Sequence, residues 1–265
     1  MLNKVHALDS FFYNSMGVYQ FQSQCEMLAE IGFDGITVSA WGGTPLTNLS
    51  LLSNVKKNHG LEISGLYLVL HEGRNDKILQ HIIESVDGVE LIELAIQTSV
   101  NGMSGILRTI ESYLHIIERR GLRLALYPHL NHITQTTSQV VTICEDFKHP
   151  LLGASFNGYH WFASKERNLE DCLKNISPWL MQVVLSGSAI SPLGWGGVAT
   201  MEPPDRGELD NFNIILALKQ ADYRGSIGIL GWDYGGDIYL KLERSLTKMK
   251  DILYKIERHP NWTYI

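Results

Sequence analysis

The chain contains few cysteines and no long apolar segment, and these absences narrow what it can be. Its 265 residues include three widely spaced cysteines, Cys25, Cys144 and Cys172, which favours buried, reduced thiols. No segment reaches the ~18 uninterrupted apolar residues typical of a membrane-spanning helix. The first residues, MLNKVHALDSFF, lack the apolar core of a secretory signal. We therefore expect a soluble, cytoplasmic protein that has no membrane partner.

Charged residues are also scarce, and the chain has no basic excess. They make up 19% of the sequence, below the ~25% usual for globular proteins, and the formal net charge is -6. A nucleic-acid-binding surface needs a basic face, so this composition argues against nucleic acid as a partner. Hydrophobic residues account for 45% of the chain, which is ample for a buried core.

What the chain does contain is a regular alternation of short apolar runs and amphipathic segments. The joins GFDG, HGLEI, RGLRL and YRGSI share one arrangement, in which a helix ends, glycine turns the chain and a strand begins. This pattern predicts an α/β protein with a single (β/α)8 TIM barrel over residues 1–265, since such a barrel uses ~250 residues. An open doubly wound sheet is the alternative. The predicted strands are 5–8, 35–38, 61–70, 89–96, 122–126, 151–156, 179–185 and 226–230.

Polar residues follow two neighbouring predicted strands in the central segment, 122–160. Tyr127 and His129 come directly after the fifth strand, and Asn157 and His160 follow the sixth. The carboxyl ends of barrel strands meet at one edge, where active sites of such barrels form. We therefore expect these four side chains to lie close together.

These four residues are candidates for acid–base catalysis. Histidine titrates near neutral pH, so His129 and His160 can exchange a proton with a substrate. Tyr127 and Asn157 can donate hydrogen bonds to a developing oxyanion. An aldose–ketose isomerase or an epimerase needs this chemistry to remove and return a proton beside a carbonyl. The alternative for either histidine is a strand-end residue that is hydrogen-bonded into the rim.

Other residues at the same predicted edge are candidates for substrate binding. Trp41, Trp161 and Trp232 follow the second, sixth and eighth strands, where aromatic rings suit the apolar faces of sugars. Ordinary packing is the alternative for each tryptophan. His71 and Asp233 follow the third and eighth strands and are also predicted to face the substrate.

Two loops suggest how an anionic group can be bound. The segment 189–207, rich in glycine and proline, is predicted to be a long loop that either folds over the barrel mouth or only connects its neighbours. As a lid it would bring Arg206 to a carboxylate or phosphate. The turn Gly235-Gly236-Asp237 offers backbone N–H groups to an anion, although the carboxylate of Asp237 would repel it.

With its strands placed, the chain resembles the xylose isomerase-like barrels, which include sugar isomerases, sugar and sugar-acid epimerases, and abasic-site endonucleases. The resemblance covers almost the full length and is clearest in ALYPH, FNGYH and YRGSIGILGWDYGGD. It implies a xylose isomerase-like TIM barrel, a small-molecule carbohydrate as the substrate, and a divalent metal held at the strand ends. Barrels of this kind often pair, so a homo-oligomer is also an expectation.

The metal ligands that the resemblance implies are mostly replaced. The family has a Glu after strand five, a D-x-x-H arrangement after strand six, an imidazole after strand seven and a Glu after strand eight. Only the His of the D-x-x-H arrangement is kept. The residues at these positions are Tyr127, Asn157, His160, Ser186, Ser188 and Leu230.

These replacements leave the cofactor open. An Asn carbonyl and an un-ionised Tyr, with a pKa of ~10, cannot neutralise a divalent cation as carboxylates do. His129, His160 and Asp233 are the residues that can still form a weaker site, since imidazole suits zinc. A rebuilt site for zinc, manganese or magnesium and a metal-free site are both compatible with the sequence.

The leading prediction is a sugar, sugar phosphate or sugar acid isomerase or epimerase that transfers a proton beside a carbonyl. A lyase or hydrolase acting on a carbohydrate is a second hypothesis. A third is a non-catalytic barrel that binds a carbohydrate or a partner protein after loss of the family metal site. A DNA-repair endonuclease is the last, because the composition offers no basic groove.

Overall fold

Strands and helices alternate as predicted, and the strands close into a barrel. The computed structural model describes residues 2–14, 17–40, 46–232, 236–259 and 261–262. Each barrel strand pairs in parallel with the next, and the eighth pairs with the first, which excludes an open sheet. The barrel strands are β1 (Val5–Leu8), β2 (Gly35–Ser39), β3 (Glu62–Glu72), β4 (Leu91–Ser99), β5 (Arg123–Leu126), β6 (Leu152–Asn157), β7 (Leu180–Leu185) and β8 (Ile227–Ile229).

The helices end where the glycine-containing joins predicted. Gly32, Gly60 and Gly121 adopt positive φ at the ends of three helices, a conformation that costs glycine little. At the fourth join Asp222, rather than a glycine, takes this conformation. Within the described residues the α-helices are α1 (Phe21–Ile31), α2 (Leu52–His59), α3 (Asp76–Ser85), α4 (Gly102–Arg120), α5 (Thr137–Phe147), α6 (Gly158–Ala163), α7 (Leu169–Ile176), α8 (Asn211–Gln220) and α9 (Ile238–Arg258).

Two apolar clusters hold these elements together. The larger one lies between the helices and the barrel, and it buries Cys25 and Cys144 as free thiols, while Cys172 is partly buried. The smaller cluster lies at the carboxyl ends of the strands and includes Tyr67 and Tyr127. No helix in the described ranges is both long enough and apolar enough to cross a membrane.

A polar layer lies inside the barrel, which we call the interior layer: Glu93, Ser155, Gln182 and His6. The Oε1 atom of Glu93 accepts a 2.6 Å hydrogen bond from Ser155 Oγ, and Gln182 Nε2 lies 3.4 Å from His6 Nε2. Burial raises the pKa of Glu93 to about 7 and lowers the pKa of His6 to about 3. His6 is therefore neutral near pH 7, and Glu93 keeps its proton to a higher pH than an ordinary carboxyl group does.

The segment predicted as a long loop contains a β-hairpin instead. Gly187–Trp195 and Ala199–Glu202 pair as antiparallel strands. Gly196 and Gly197 both have positive φ, at 65° and 69°, and the N–H of Val198 donates to the carbonyl of Trp195. Two consecutive positive φ values are what a tight type I′ hairpin turn requires, and glycine adopts them readily.

Candidate active site

A cavity of about 290 Å³ opens at the carboxyl ends of the barrel strands. Aromatic rings form much of its wall, including Tyr67 from β3, Tyr127 after β5 and Trp232 after β8. The hairpin contributes Trp195, whose ring centroid is 5.3 Å from that of His129. The hairpin thus covers the mouth, as predicted for a lid, but as an ordered two-stranded element.

Three histidines stack beside one another at this cavity, and we call them the mouth histidines: His129, His132 and His160. The ring centroid of His129 lies 3.9 Å from that of His160 and 3.8 Å from that of His132. The sequence reasoning assigned His132 no role, as a surface or loop residue. Its loop folds back because the N–H of His129 donates to the carbonyl of Thr134 and the N–H of His132 donates to the carbonyl of His129.

Leu130 holds two of these imidazoles in opposite tautomers. Its carbonyl can only accept, so the Nδ1 atom of His129, 2.8 Å away, carries a proton and leaves Nε2 with a lone pair. Its N–H can only donate, so the Nδ1 atom of His160, 3.2 Å away, is unprotonated and Nε2 carries the proton. One peptide unit on each side of Leu130 therefore specifies a proton acceptor and a proton donor.

The mouth histidines are neutral at neutral pH. Burial, with a smaller contribution from the neighbouring imidazole, lowers the pKa of His129 to about 3, and burial lowers the pKa of His132 to about 4. Burial and the two neighbouring histidines hold the pKa of His160 well below its usual range. The expectation that these residues titrate near pH 7 therefore does not describe the free site.

Tyr127 and Asn157 form a buried pair below the histidines. The Asn157 side-chain N–H donates to Tyr127 Oη, and Asn157 Oδ1 accepts the N–H of His160 at 3.0 Å. Burial raises the pKa of Tyr127 well above its ordinary value, so the phenol remains protonated. Tyr127 lines the cavity, whereas Asn157 lies behind it and positions both Tyr127 and the start of α6.

Among known proteins, only solved structures were found to be similar to this chain. No protein-family model and no curated protein matches the chain. A 3-keto-D-glucoside 4-epimerase from E. coli is 16% identical, with a TM-score of 0.69 over 94% of this chain and 99% of its own. An L-ribulose 3-epimerase is 13% identical, with a TM-score of 0.75 over 98% and 97%.

A xylose isomerase domain protein from Alicyclobacillus acidocaldarius is 16% identical, with a TM-score of 0.75 over 97% of this chain and 100% of its own. The fold is that of the xylose isomerase-like TIM barrels. At these identities the likeness is one of fold, and it confirms the predicted (β/α)8 barrel.

The described donors do not fit the metal site that xylose isomerase-like barrels imply. Tyr127 and Asn157 are bonded to each other, Ser186 Oγ lies 3.3 Å from Ser188 Oγ, and Leu230 is apolar and buried. Neutral donors of this kind leave a divalent charge uncompensated. Among the described residues, no group of three or more His, Cys, Asp or Glu is placed to hold a metal ion.

The remaining predicted site residues fall in different places. Trp232 lines the cavity and stacks on Tyr13, with centroids 5.5 Å apart. Trp161 packs against Phe156 in the helical layer, because α6 turns His160 rather than Trp161 toward the mouth. The other four lie at the rim, in an adjoining cleft or outside the described residues.

His71 is on the rim, with Nδ1 3.1 Å from Thr98 Oγ1, and it does not line the cavity. Arg206 lines an adjoining cleft. Trp41 and Asp233 lie outside the described residues. The predicted metal ligand set of His129, His160 and Asp233 therefore stays a prediction.

Sequence reasoning missed a carboxyl group at this edge. Asp9 directly follows β1 and is buried, and its carboxyl oxygens accept from Ser39 N–H at 2.9 Å and Ser39 Oγ at 2.7 Å. Burial raises the pKa of Asp9 to about 7. Asp9 thus holds Ser39, which lines the cavity, and its strand-end position was a signal that could have found it.

Proposed function

We propose that the protein is an isomerase or epimerase that moves a proton beside the carbonyl of a small carbohydrate. The observation that carries the proposal is the pair of stacked imidazoles that Leu130 fixes in opposite tautomers at the cavity. His129 Nε2 is the proton acceptor, and His160 Nε2–H is the hydrogen-bond donor. Such a pair provides a base and an acid while both rings are neutral.

In this mechanism His129 removes the proton from the carbon beside the carbonyl. The electron pair of the broken C–H bond forms the carbon–carbon double bond, and the carbonyl oxygen becomes an oxyanion. His160 Nε2–H donates to that oxygen, and so does Tyr127, whose own proton is free because Asn157 donates to its oxygen. Return of the proton to the same carbon on the opposite face gives an epimer. Its return to the former carbonyl carbon gives an isomer, once the proton of the neighbouring hydroxyl has moved to the oxyanion.

The low pKa of the mouth histidines bears on this step. A neutral His160 donates to the oxyanion without needing to be ionised first, and its burial keeps it neutral. The proton taken by His129 creates a cation next to the new oxyanion, and this attraction offsets the burial that lowers its pKa. We therefore expect no change of rate between about pH 6 and pH 9 that is due to a mouth histidine, since burial lowers the pKa of all three. Asp9, with a pKa of about 7, titrates in that range.

The walls of the cavity suit the uncharged ring of a sugar. Tyr67, Trp195 and Trp232 present aromatic surfaces, against which the C–H faces of a sugar can pack. Ser10, Ser39 and Gln97 supply neutral hydrogen-bonding groups at the same wall. The epimerases among the structural neighbours act on sugars by their names, which agrees with this substrate class.

The test is solvent exchange. A panel of ketoses and aldoses is incubated with the protein in deuterium oxide, and nuclear magnetic resonance follows deuterium entering the carbon beside the carbonyl. We expect exchange with at least one sugar, and its loss by a factor of ~10²–10⁴ in His129→Gln. His115→Gln, which changes an exposed histidine on α4, is the matched control. Exchange that survives His129→Gln would contradict the proposal.

A second candidate is a non-catalytic barrel that binds a carbohydrate. It is favoured by the basicity of the mouth histidines, because a pKa of about 3 makes His129 a weak base in the free protein. Calorimetric binding of a sugar that shows no deuterium exchange, and is bound equally by His129→Gln, would establish this candidate.

A further inference from the structure

We propose that the carbohydrate carries an anionic group, a phosphate or a carboxylate, that is bound in a second cleft beside the cavity. This cleft, which we call the cationic cleft, is lined by Arg206, Lys241 and Arg244. The inference rests on the proposed function for the sugar part of the ligand. It adds the class of substituent that the molecule selects.

The cationic cleft adjoins the cavity. It has a volume of about 470 Å³, and Trp195, Met201 and Trp232 line both spaces. A sugar seated against the mouth histidines can therefore extend a substituent past these three side chains. The described residues that line the cavity are neutral at neutral pH, so the two spaces divide the recognition of a polar ring from that of a charge.

The charges in the cleft are predominantly positive. Of the residues that the structure describes, two arginines and a lysine line it, together with one carboxylate, Glu202. Arg244 pairs with Asp205, while Arg206 forms no ion pair with any residue in the described part of the chain. An anionic substituent would therefore pair first with Arg206.

The pKa of Lys241 reflects both its burial and the positive charges near it. Burial lowers its pKa, and the neighbouring Arg206 and Arg244 lower it further, while Glu202 and Asp237 act in the opposite direction. A bound anion would reverse this shift. The carboxylate of Asp237 is engaged elsewhere, because it accepts the N–H of Leu240 and caps α9 at 3.0 Å.

That cap also bears on the predicted anion site at the turn before α9. The carboxylate of Asp237 itself occupies the start of the helix, where an external anion would have been bound. Side-chain cations, rather than helix N–H groups, are therefore the binding groups that we assign. Gly235 lies outside the described residues.

The backbone around Arg206 is held in place before any ligand arrives. Its N–H donates to the carbonyl of Pro203 at 2.9 Å, which closes a turn. Gly187 lies against this turn so closely that an added Cβ would stand 2.1 Å from the Arg206 carbonyl oxygen. The ion pair of Asp205 with Arg244 ties the same turn to α9. A pre-formed backbone reduces the ordering that binding must impose.

The experiment titrates the full chain with inorganic phosphate, sulfate and acetate, and follows tryptophan fluorescence, since Trp195 and Trp232 line both spaces. We expect saturable binding of at least one anion, weakened about tenfold or more in Lys241→Gln and in Arg206→Gln. Lys255→Gln is the control on the same helix, about 21 Å further along its axis. Tighter binding of phosphate and sulfate would indicate a phosphate substituent, and tighter binding of acetate a carboxylate.

The inference is overturned if none of the three anions binds saturably, or if Lys255→Gln weakens binding as much as Lys241→Gln does. Circular dichroism of each variant confirms that it is folded. The result is separable from the proposed function. Exchange of an uncharged sugar without anion binding would overturn only the cationic cleft, whereas anion binding without any sugar exchange would overturn only the proposed reaction.

Discussion

The interior layer and the mouth histidines are both buried groups of titratable side chains in one barrel, and they differ in access. Glu93 and His6 in the interior layer are sealed among strands, with no measurable exposure. His129 and His132 face a cavity that a ligand can enter. Burial favours the neutral form in both regions, so a shifted pKa alone does not identify a site. Access to a cavity distinguishes them.

Glu93 in the interior layer and His132 at the mouth give opposite dependences of stability on pH. A carboxyl group whose pKa is raised on folding makes the protein less stable as pH rises, because the folded state holds its proton longer. A histidine whose pKa is lowered on folding makes the protein less stable as pH falls, because the unfolded state takes up the proton first. Variants of Glu93 and of His132 can therefore be separated by the sign of their effect.

The largest expected effect is on proton exchange. The double variant His129→Gln/His160→Gln should lose exchange by ~10²–10⁴, about as much as His129→Gln alone, because the two groups act in one step. Rates of deuterium uptake in the four proteins of this cycle measure it. If the loss of rate in the double variant equals the product of the losses in the two single variants, the histidines act independently. That result would contradict the assignment of one acceptor and one donor in a single step.

The next effect is on stability in the interior layer. Glu93 has a pKa of about 7 when folded. The ordinary pKa of a Glu side chain is ~4.3. As the pH rises from this value to about 7, the contribution of Glu93 to the free energy of unfolding falls by on the order of 3 kcal/mol. Glu93→Gln should abolish this fall. Urea unfolding at about pH 5 and about pH 8 measures it. If the variant loses as much stability between these two pH values as the unsubstituted chain does, Glu93 is ionised in the barrel.

A smaller effect of opposite sign is expected at the mouth. His132 has a pKa of about 4 in the folded chain, so stability is lost as pH falls from ~6.5 toward that value. Because the ring is partly open to the cavity, we expect about 1 kcal/mol, and His132→Gln should remove it. Thermal unfolding at about pH 6.5 and about pH 4.5 is the measurement, with His115→Gln as the exposed control.

The smallest effect is expected in the hairpin that covers the mouth. Gly196→Ala places a side chain at a φ of 65°, which costs about 1 kcal/mol, and its Cβ would approach Asn131 Nδ2 to 3.0 Å. The strain falls on the segment that holds Trp195, so sugar exchange should slow several-fold with little change in global unfolding. If the free energy of unfolding falls as well, by about the full 1 kcal/mol, the hairpin unfolds together with the barrel.

The barrel was predictable because its signals are local. The first strand agrees with the predicted bounds, since its apolar run marks it in the sequence. The hairpin was missed because Gly196-Gly197 is a turn signal that depends on strands forming on either side. Glu93 was missed because the run LIELAI predicts a buried strand without saying which residues point into the barrel.

The candidate site was predictable only in part. Tyr127, His129, Asn157 and His160 meet as the strand order requires, since residues at neighbouring strand ends are close in any parallel barrel. His132 joins them through a loop that is fixed by a bond from the N–H of Ile133 to the carbonyl of Ile96, far away in the chain. Contacts of that kind leave no pattern in a single sequence.

The main chain of Leu130, rather than any side chain, determines the tautomers of His129 and His160. The groups that orient His129 and His160 are a main-chain carbonyl and a main-chain N–H, which every residue except proline possesses. Any of eighteen other amino acids at this position would offer the same two groups. The backbone conformation at Leu130, and not the identity of a side chain, therefore decides which histidine is the acceptor and which is the donor. A search for sequence motifs cannot detect this assignment.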